Sequence, residues 1–168
     1  RNTLAGAINI VTRAPSDSLT GSLQVGYGEY DSTRLRAAVS GPIGGGWKAS
    51  ASVMRTERNE GWATNVVNGK HVGVNDFFGA MGSLAYEGDG FNALFTAYGS
   101  TSSSDGPWNA PVNVATGKLL FSDRSRVASA SVTVNGKVLN PFNDTDQHGA
   151  DLVLSWDIGD WKLKSITA

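Results

Sequence analysis

The strongest constraint on the fold is a two-residue alternation of apolar and polar side chains that recurs along the chain. Successive side chains of a β-strand point to opposite faces, so this period predicts strands with two unlike faces. Helical periodicity is nearly absent. The apolar faces of the seven runs are Leu23, Val25 and Tyr27; Leu35, Ala37 and Val39; Trp47, Ala49, Ala51 and Val53; Phe78, Ala80, Gly82, Leu84 and Tyr86; Phe91, Ala93, Phe95 and Ala97; Ala150, Leu152, Leu154 and Trp156; Trp161 and Leu163. The sequence therefore predicts an all-β fold with about seven antiparallel strands.

The connections between these runs fall into two classes of length. Short turns rich in Gly and Asp lie at 41–46, 88–90 and 158–160, and longer polar stretches lie at about 57–76 and 100–147. The first hairpin, through 29–32, is the exception, because it is short where a long loop is expected. Tight turns at one end and long loops at the other are typical of an outer-membrane β-barrel.

Aromatic residues are concentrated on the apolar faces next to the short turns, at Trp47, Tyr86, Phe91, Trp156 and Trp161. We expect all five to lie at one height. Amphipathic rings favour a membrane–water interface, which is one interpretation of such a row. The other is ordinary packing of aromatic side chains across neighbouring strands.

Composition excludes several classes of function. The net charge of −1 provides no basic surface for nucleic acid. The chain has no cysteine, so it can form neither disulfides nor thiolate metal sites. No apolar run approaches the roughly 18 residues of a membrane helix, but a barrel strand crosses a bilayer with only about 9–11 tilted residues. We find no nucleophile–base arrangement, phosphate loop or carboxylate pair, and expect no enzymatic activity.

The first fifteen residues carry the most specific motif. Arg-Asn-Thr at positions 1–3 is followed by Gly-Ala-Ile-Asn-Ile-Val-Thr at 6–12, then by Arg13 and Pro15. This segment resembles the closing strand of the plug domain in TonB-dependent outer-membrane receptors, and the run 21–30 with the Ser-Gly-Pro turn at 40–42 resembles the start of their barrel. By composition alone, residues 7–11 also fit the core strand of any α/β domain.

The resemblance implies an internal fragment of such a receptor, with the end of the plug at 1–18 and the first part of a transmembrane β-barrel of about 22 strands at 19–168. It implies a Gram-negative outer-membrane location and uptake of a scarce ligand, most often a ferric siderophore and sometimes haem, cobalamin or a glycan. Transport would be energised through the TonB complex by a more N-terminal part of the plug. The resemblance implies lipid contact and no resident cofactor, the ferric chelate being cargo.

Two sets of residues are candidates for binding. Charges on polar faces or beside the plug-like strand are expected to face the lumen and to contact carboxylates between plug and barrel, as in that family, or simply to be solvated; they are Arg1, Arg13, Arg34, Arg36 and Lys48. Cations and aromatics at the long-loop end suit an anionic chelate; they are Arg55, Arg58, Trp62, Trp108 and Asn109.

Weaker motifs and other functions remain as alternatives. His71 and His148 are expected in outer loops, where a histidine could ligate haem, although an exposed loop histidine is the more ordinary case. Asp144 and Asp146 lack the Gly and distal Glu of a calcium loop. The alternative functions are another outer-membrane barrel, of porin or autotransporter type, and a soluble β-sandwich that binds a protein or glycan.

Overall fold

The computed structural model describes residues 13–106, 115–116, 126–127, 132–134, 137–139 and 142–168. Within these residues, all regular secondary structure is β-strand. The strands are β1 (Thr20–Gly28), β2 (Ser32–Gly44), β3 (Trp47–Arg58), β4 (Ala63–Asn65), β5 (His71–Val72), β6 (Asn75–Gly88), β7 (Phe91–Ser104), β8 (Arg126–Val127), β9 (Val132–Val134), β10 (Lys137–Leu139), β11 (Asn143–Ile158) and β12 (Trp161–Thr167).

Seven of these strands form one large antiparallel sheet in the order β1-β2-β3-β6-β7-β11-β12. This confirms the predicted all-β class and the predicted set of antiparallel strands. The sheet is open, because β1 and β12 each pair on one side only among the described residues. The short strands form a three-stranded sheet, β5-β4-β8, and a two-stranded antiparallel sheet of β9 and β10. The described residues include no helix that could span a membrane.

The long strands extend further into the long-loop end than the sequence indicated. β3 continues to Arg58 and β6 begins at Asn75, so the first long loop covers 59–74. β7 continues to Ser104 and β11 begins at Asn143, so the second covers 105–142. The predicted limits of 57–76 and 100–147 were wrong because polar residues continue a backbone ladder as well as apolar ones do. Ser103 even donates a hydrogen bond to the Asp144 carboxylate across the strands (2.6 Å).

The ladder places apolar and polar side chains in alternate rows across the sheet. One row consists of Ala49, Leu84, Phe95 and Leu152, and the next consists of Ser50, Ser83, Thr96 and Asp151. The sheet curves toward the second row, since one cavity is lined both by Ser22 of β1 and by Lys164 of β12. We call the side of the first row the convex face and that of the second the concave face.

Burial on the two faces is the reverse of that in a water-soluble core. Phe95 on the convex face is 45% exposed, whereas its neighbour Thr96 on the concave face is 0% exposed. Leu84 is 37% exposed, and the adjacent Ser83 is 6% exposed. The buried hydroxyls satisfy each other, because Ser83 Oγ donates to Thr96 Oγ1 at 3.2 Å. The apolar face of this sheet therefore has no protein cover in the described part of the chain.

The turn between β2 and β3 depends on three consecutive glycines. Gly44, Gly45 and Gly46 have φ values of +100°, +61° and +80°, which non-glycine residues adopt with strain. Gly46 also lies directly against β6: its carbonyl accepts a hydrogen bond from the Glu87 amide at 2.9 Å. A Cβ at Gly46 would be 2.4 Å from the Glu87 carbonyl oxygen, whereas a Cβ at Gly45 would meet only the Trp47 ring, at 3.9 Å.

These two glycines provide a matched pair of substitutions. Gly45→Ala should lower the free energy of unfolding by about 1 kcal/mol, the cost of a left-handed alanine. Gly46→Ala should lower it by about 3 kcal/mol, because the backbone of β6 must also move. Chemical denaturation followed by tryptophan fluorescence measures both. Equal losses would show that the turn does not pack against β6 as described.

Candidate functional site

The concave face encloses a cavity of about 1090 Å³ that runs from β1 to β12. Its lining includes charged groups from three different strands, namely Arg36, Asp151 and Lys164. No ion pair links these three charges among the described residues.

The lining of this cavity is more apolar than the alternation of the sequence predicts, since it includes Met54, Phe77, Met81, Leu94 and Tyr98. Apolar residues occur at consecutive positions along these strands and break the strict alternation. The lining therefore combines apolar side chains with three charged ones, a surface suited to covering by protein or to a partly apolar ligand.

Two of the predicted lumen-facing arginines lie together on β2. Arg34 pairs with Thr56 and Arg36 with Met54 in the ladder, so both side chains belong to the concave face. Arg36 Nε lies 3.2 Å from the Met54 sulfur. Neither arginine forms an ion pair with a carboxylate of the described residues. Their charges are thus available for a group outside the described chain.

The two predicted contact residues at the start of the chain have different outcomes. Arg13 is exposed and precedes β1, and it forms no ion pair with the described residues. Arg1 lies outside the described residues. The expected contact of these two arginines with a barrel wall stays a prediction.

Lys48, also expected on the polar face, is paired. Its ammonium group binds the carboxylates of Asp17, which precedes β1, and of Glu87 at the end of β6, the latter at 2.7 Å. The Lys48 side chain is only 14% exposed. This lysine therefore joins three separate parts of the chain at the short-turn end of the sheet.

The expectation that Arg55 belongs to an outer loop was wrong. Arg55 lies within β3 on the convex face, where it pairs with Phe78 in the ladder. Its guanidinium binds the carboxylates of Glu57 and Asp76, the latter at 3.6 Å. Polar residues beyond Val53 continue the strand, so the end of the apolar pattern did not mark the end of β3. Arg55 lies on the face opposite to the cavity and its charge is compensated.

Arg58 ends β3 on the concave side and connects to the first long loop. Its Nη1 donates to the Gly73 carbonyl at 3.4 Å and its Nε to Ser32 Oγ at 3.4 Å.

Trp62 is partly buried against a small cluster made of Ala63, Val72 and Val127. Trp108 and Asn109, the other predicted ligand contacts, lie outside the described residues.

The two long loops are joined above the sheet. β4 of the first loop runs parallel to β8 of the second, and the Val66 amide donates to the Val127 carbonyl at 2.9 Å. The Gly73 amide donates to Asp105 Oδ2 at 2.7 Å. The loops therefore form one assembly, in which Trp62 is a packing residue. Sequence reasoning missed this contact because it joins residues far apart in the chain.

The histidine and aspartate motifs do not converge on a metal site. His71 is exposed in β5, whereas His148 lies within β11 opposite Gly99, so its predicted loop position was wrong. Asp144 and Asp146 also lie in β11, with the extended backbone of a strand. Among the described residues there is no group of three or more His, Asp or Glu that could hold a metal ion.

A row of aromatic rings crosses the convex face at the short-turn end. The ring centroids of Trp47 and Tyr86 are 5.0 Å apart, those of Tyr86 and Phe91 are 6.1 Å apart, and those of Phe91 and Trp156 are 5.4 Å apart. Trp161 follows at the start of β12 and is 81% exposed. The rings of Trp47, Tyr86, Phe91 and Trp156 pack across neighbouring strands, as the second interpretation expects, and they lie on the uncovered face. Their position at a membrane–water interface stays a prediction.

The loop assembly can be tested with two glycines of similar backbone conformation. A Cβ at Gly73 (φ +108°) would be 2.2 Å from the Trp62 ring, whereas a Cβ at Gly69 (φ +73°) meets nothing within 4 Å. Gly73→Ala should therefore displace Trp62 and increase tryptic cleavage after Lys70 about five-fold, because local opening becomes easier. Gly69→Ala should change the rate by less than about two-fold. Similar rates in the two variants would contradict the packing of Trp62 on Gly73.

Comparisons with protein-family models, with curated proteins and with solved structures found no match to this chain. A functional conclusion therefore depends on the chain's own features. These are the reversed burial of the two faces, the aromatic row, the joined long loops and the two arginines of β2, which form no ion pair within the described residues.

Proposed function

We propose that this chain is part of a TonB-dependent outer-membrane receptor, and that the scarce ligand it takes up is a ferric siderophore. The observation that carries the proposal is the reversed burial of the sheet, with apolar side chains exposed on the convex face and hydroxyls buried on the concave face. Such a sheet is stable when lipid covers its outside and a wet or protein-filled lumen lies inside. The motif at 1–15 supports this receptor family in particular.

The height of the apolar band supports a membrane position. On β6 the convex face is apolar from Tyr86 to Phe78, and Asp76 follows. Eight steps of about 3.4 Å give about 27 Å along the strand. With a strand tilt of about 40°, the band is about 21 Å high, close to the roughly 25 Å band of outer-membrane barrels.

Both limits of the band have the side chains that a bilayer requires. At one limit lies the aromatic row, which suits the interface between lipid tails and headgroups. At the other limit the convex face becomes charged, through the ion-paired residues Arg55, Glu57 and Asp76. A charge at the middle of the band would cost about 2–4 kcal/mol, and the convex face has none there.

The concave face supports a role in gated uptake. Arg34 and Arg36 have no carboxylate partner among the described residues, so they can receive acidic groups from a plug domain or an anionic ligand. At the outer end, Arg58 and the joined loops form the wall that a ligand would meet first. Arg58 fits this ligand contact better than Arg55, because it lies on the lumen side.

Adjacent residues at mid-height give a direct test of lipid contact. Ala51 belongs to the convex face and Ser52 to the concave face. Ala51→Lys should destabilise the protein folded in lipid vesicles by about 2–4 kcal/mol, whereas Ser52→Lys should cost less than about 1 kcal/mol. The fraction of heat-modifiable, folded protein on gels measures both. A soluble protein in which both variants fold equally without detergent or lipid would instead support the β-sandwich alternative.

The plug contact is tested by Arg36→Leu in the full-length receptor. Loss of a charged contact should weaken plug retention, which is measured as about a five-fold increase in protease cleavage of the plug, and should reduce ligand uptake. Lys162→Leu is the control, since Lys162 has its own partner in Asp157 at 3.6 Å. Unchanged retention and uptake in Arg36→Leu would contradict the pairing.

The ligand class is tested by binding. The purified full-length receptor is titrated with ferric siderophores, haem, cobalamin and oligosaccharides, and uptake is compared in cells with and without TonB. We expect saturable binding of a ferric siderophore and uptake that depends on TonB. Diffusive, TonB-independent uptake would support the porin alternative.

A further inference from the structure

The segment that precedes β1, residues 13–19, is fastened to the sheet before the first strand begins. We call it the lead-in segment. Pro15 is buried, and the next residue contacts β2 through two atoms: the Ser16 amide donates to Ser40 Oγ at 2.8 Å, and Ser16 Oγ lies 3.1 Å from the same oxygen. These bonds hold the segment at the short-turn end of the concave face.

An ion-paired cluster extends this attachment to two further strands. Asp17 binds the ammonium group of Lys48 at the start of β3, and Lys48 also binds Glu87 at the end of β6. Asp17 is 89% exposed, so the isolated pair contributes little to global stability. Its position matters more than its strength, because it connects the lead-in segment to strands that lie beyond β1 and β2 in the sheet.

Close backbone packing completes the attachment. A Cβ at Gly41 would be 2.9 Å from the Leu19 Cα, so the chain at Leu19 lies directly against β2. The lead-in segment therefore contacts β2 and β3 before it becomes β1, and Lys48 links it indirectly to Glu87 of β6. In contrast, β1 itself pairs only with β2 among the described residues.

We infer that the lead-in segment is a mechanical stop, which prevents a pull on the preceding chain from stripping β1 off the sheet. A pull on the chain ahead of a strand loads the hydrogen bonds at that end of the strand first and breaks them one pair at a time. When the chain is fixed ahead of the strand, the force is shared by Ser40 of β2, Lys48 of β3 and Glu87 of β6. The existence of a pulling force in the cell rests on the proposed function. The attachment of the lead-in segment to the sheet does not depend on that proposal.

Force measurements on single molecules test the stop. Residues 1–168 contain no cysteine, so Ala14→Cys and Asp160→Cys give two unique sites for handles in the full-length protein once any cysteine elsewhere is replaced. Asp17→Asn removes only the link between the lead-in segment and Lys48, and its exposed position makes a folding defect unexpected. Asp157→Asn is the control, because it removes the exposed Asp157–Lys162 pair at the same end of the sheet.

We expect Asp17→Asn to lower the force of the first rupture, and to release at once a length of about 30 Å, the extended length of β1. The wild type and Asp157→Asn should keep β1 paired until a higher force. Equal first-rupture forces in all three proteins would overturn the inference. So would release of β1 before the lead-in segment in the wild type.

Hydrogen exchange provides an independent measurement in the full-length protein at rest. The Ser16 amide should exchange about five-fold faster in Asp17→Asn and in Ser40→Ala, and at the wild-type rate in Asp157→Asn. Unchanged exchange in both variants would overturn the attachment. If ligand uptake fails in every assay while these differences persist, the proposed function fails and the attachment stands.

Discussion

Side chains of neighbouring strands are locked into rows by the antiparallel ladder, and this locking determines every other feature of the sheet. Ala49, Leu84, Phe95 and Leu152 form one row because each pair of strands has a fixed register. A slip of one residue would move an entire strand's apolar side chains to the concave face. The aromatic row, the cavity and the position of Arg34 and Arg36 on the concave face all require that register.

Much of this arrangement can be predicted from the sequence, because alternation and turn composition are local properties. The seven strands, their two faces and the short glycine-rich turns need only neighbouring residues to be recognised. The ends of the strands are different. The pairing of Asn75–Phe77 with 102–104 uses backbone hydrogen bonds, which polar side chains neither signal nor prevent. For this reason the sequence pattern predicts loops at Arg55 and His148, whereas both residues lie in strands.

The candidate site was less predictable because it is made by contacts between distant parts of the chain. Lys48 and Asp17 are 31 positions apart, and Gly73 and Asp105 are 32 apart. Periodicity contains no information about which carboxylate a lysine will meet, so Lys48 was recognised only as a charge on the polar face. The packing of Trp62 against Val72 and Val127 was hidden for the same reason. In contrast, the alternation along β2 correctly predicts the face of the sheet on which Arg34 and Arg36 lie, because it depends only on neighbouring residues.

The joining of two loops of unequal length bears on how this surface can diversify. The connection at 105–142 is more than twice as long as that at 59–74. The free-energy cost of closing the longer loop, which comes from lost chain entropy, is nevertheless greater by only about 0.8 kcal/mol. Insertions at that end are therefore nearly free of thermodynamic penalty, provided that the Gly73–Asp105 and Val66–Val127 hydrogen bonds persist. The sequence of the long loops can therefore vary during evolution while the strands keep an unchanged framework.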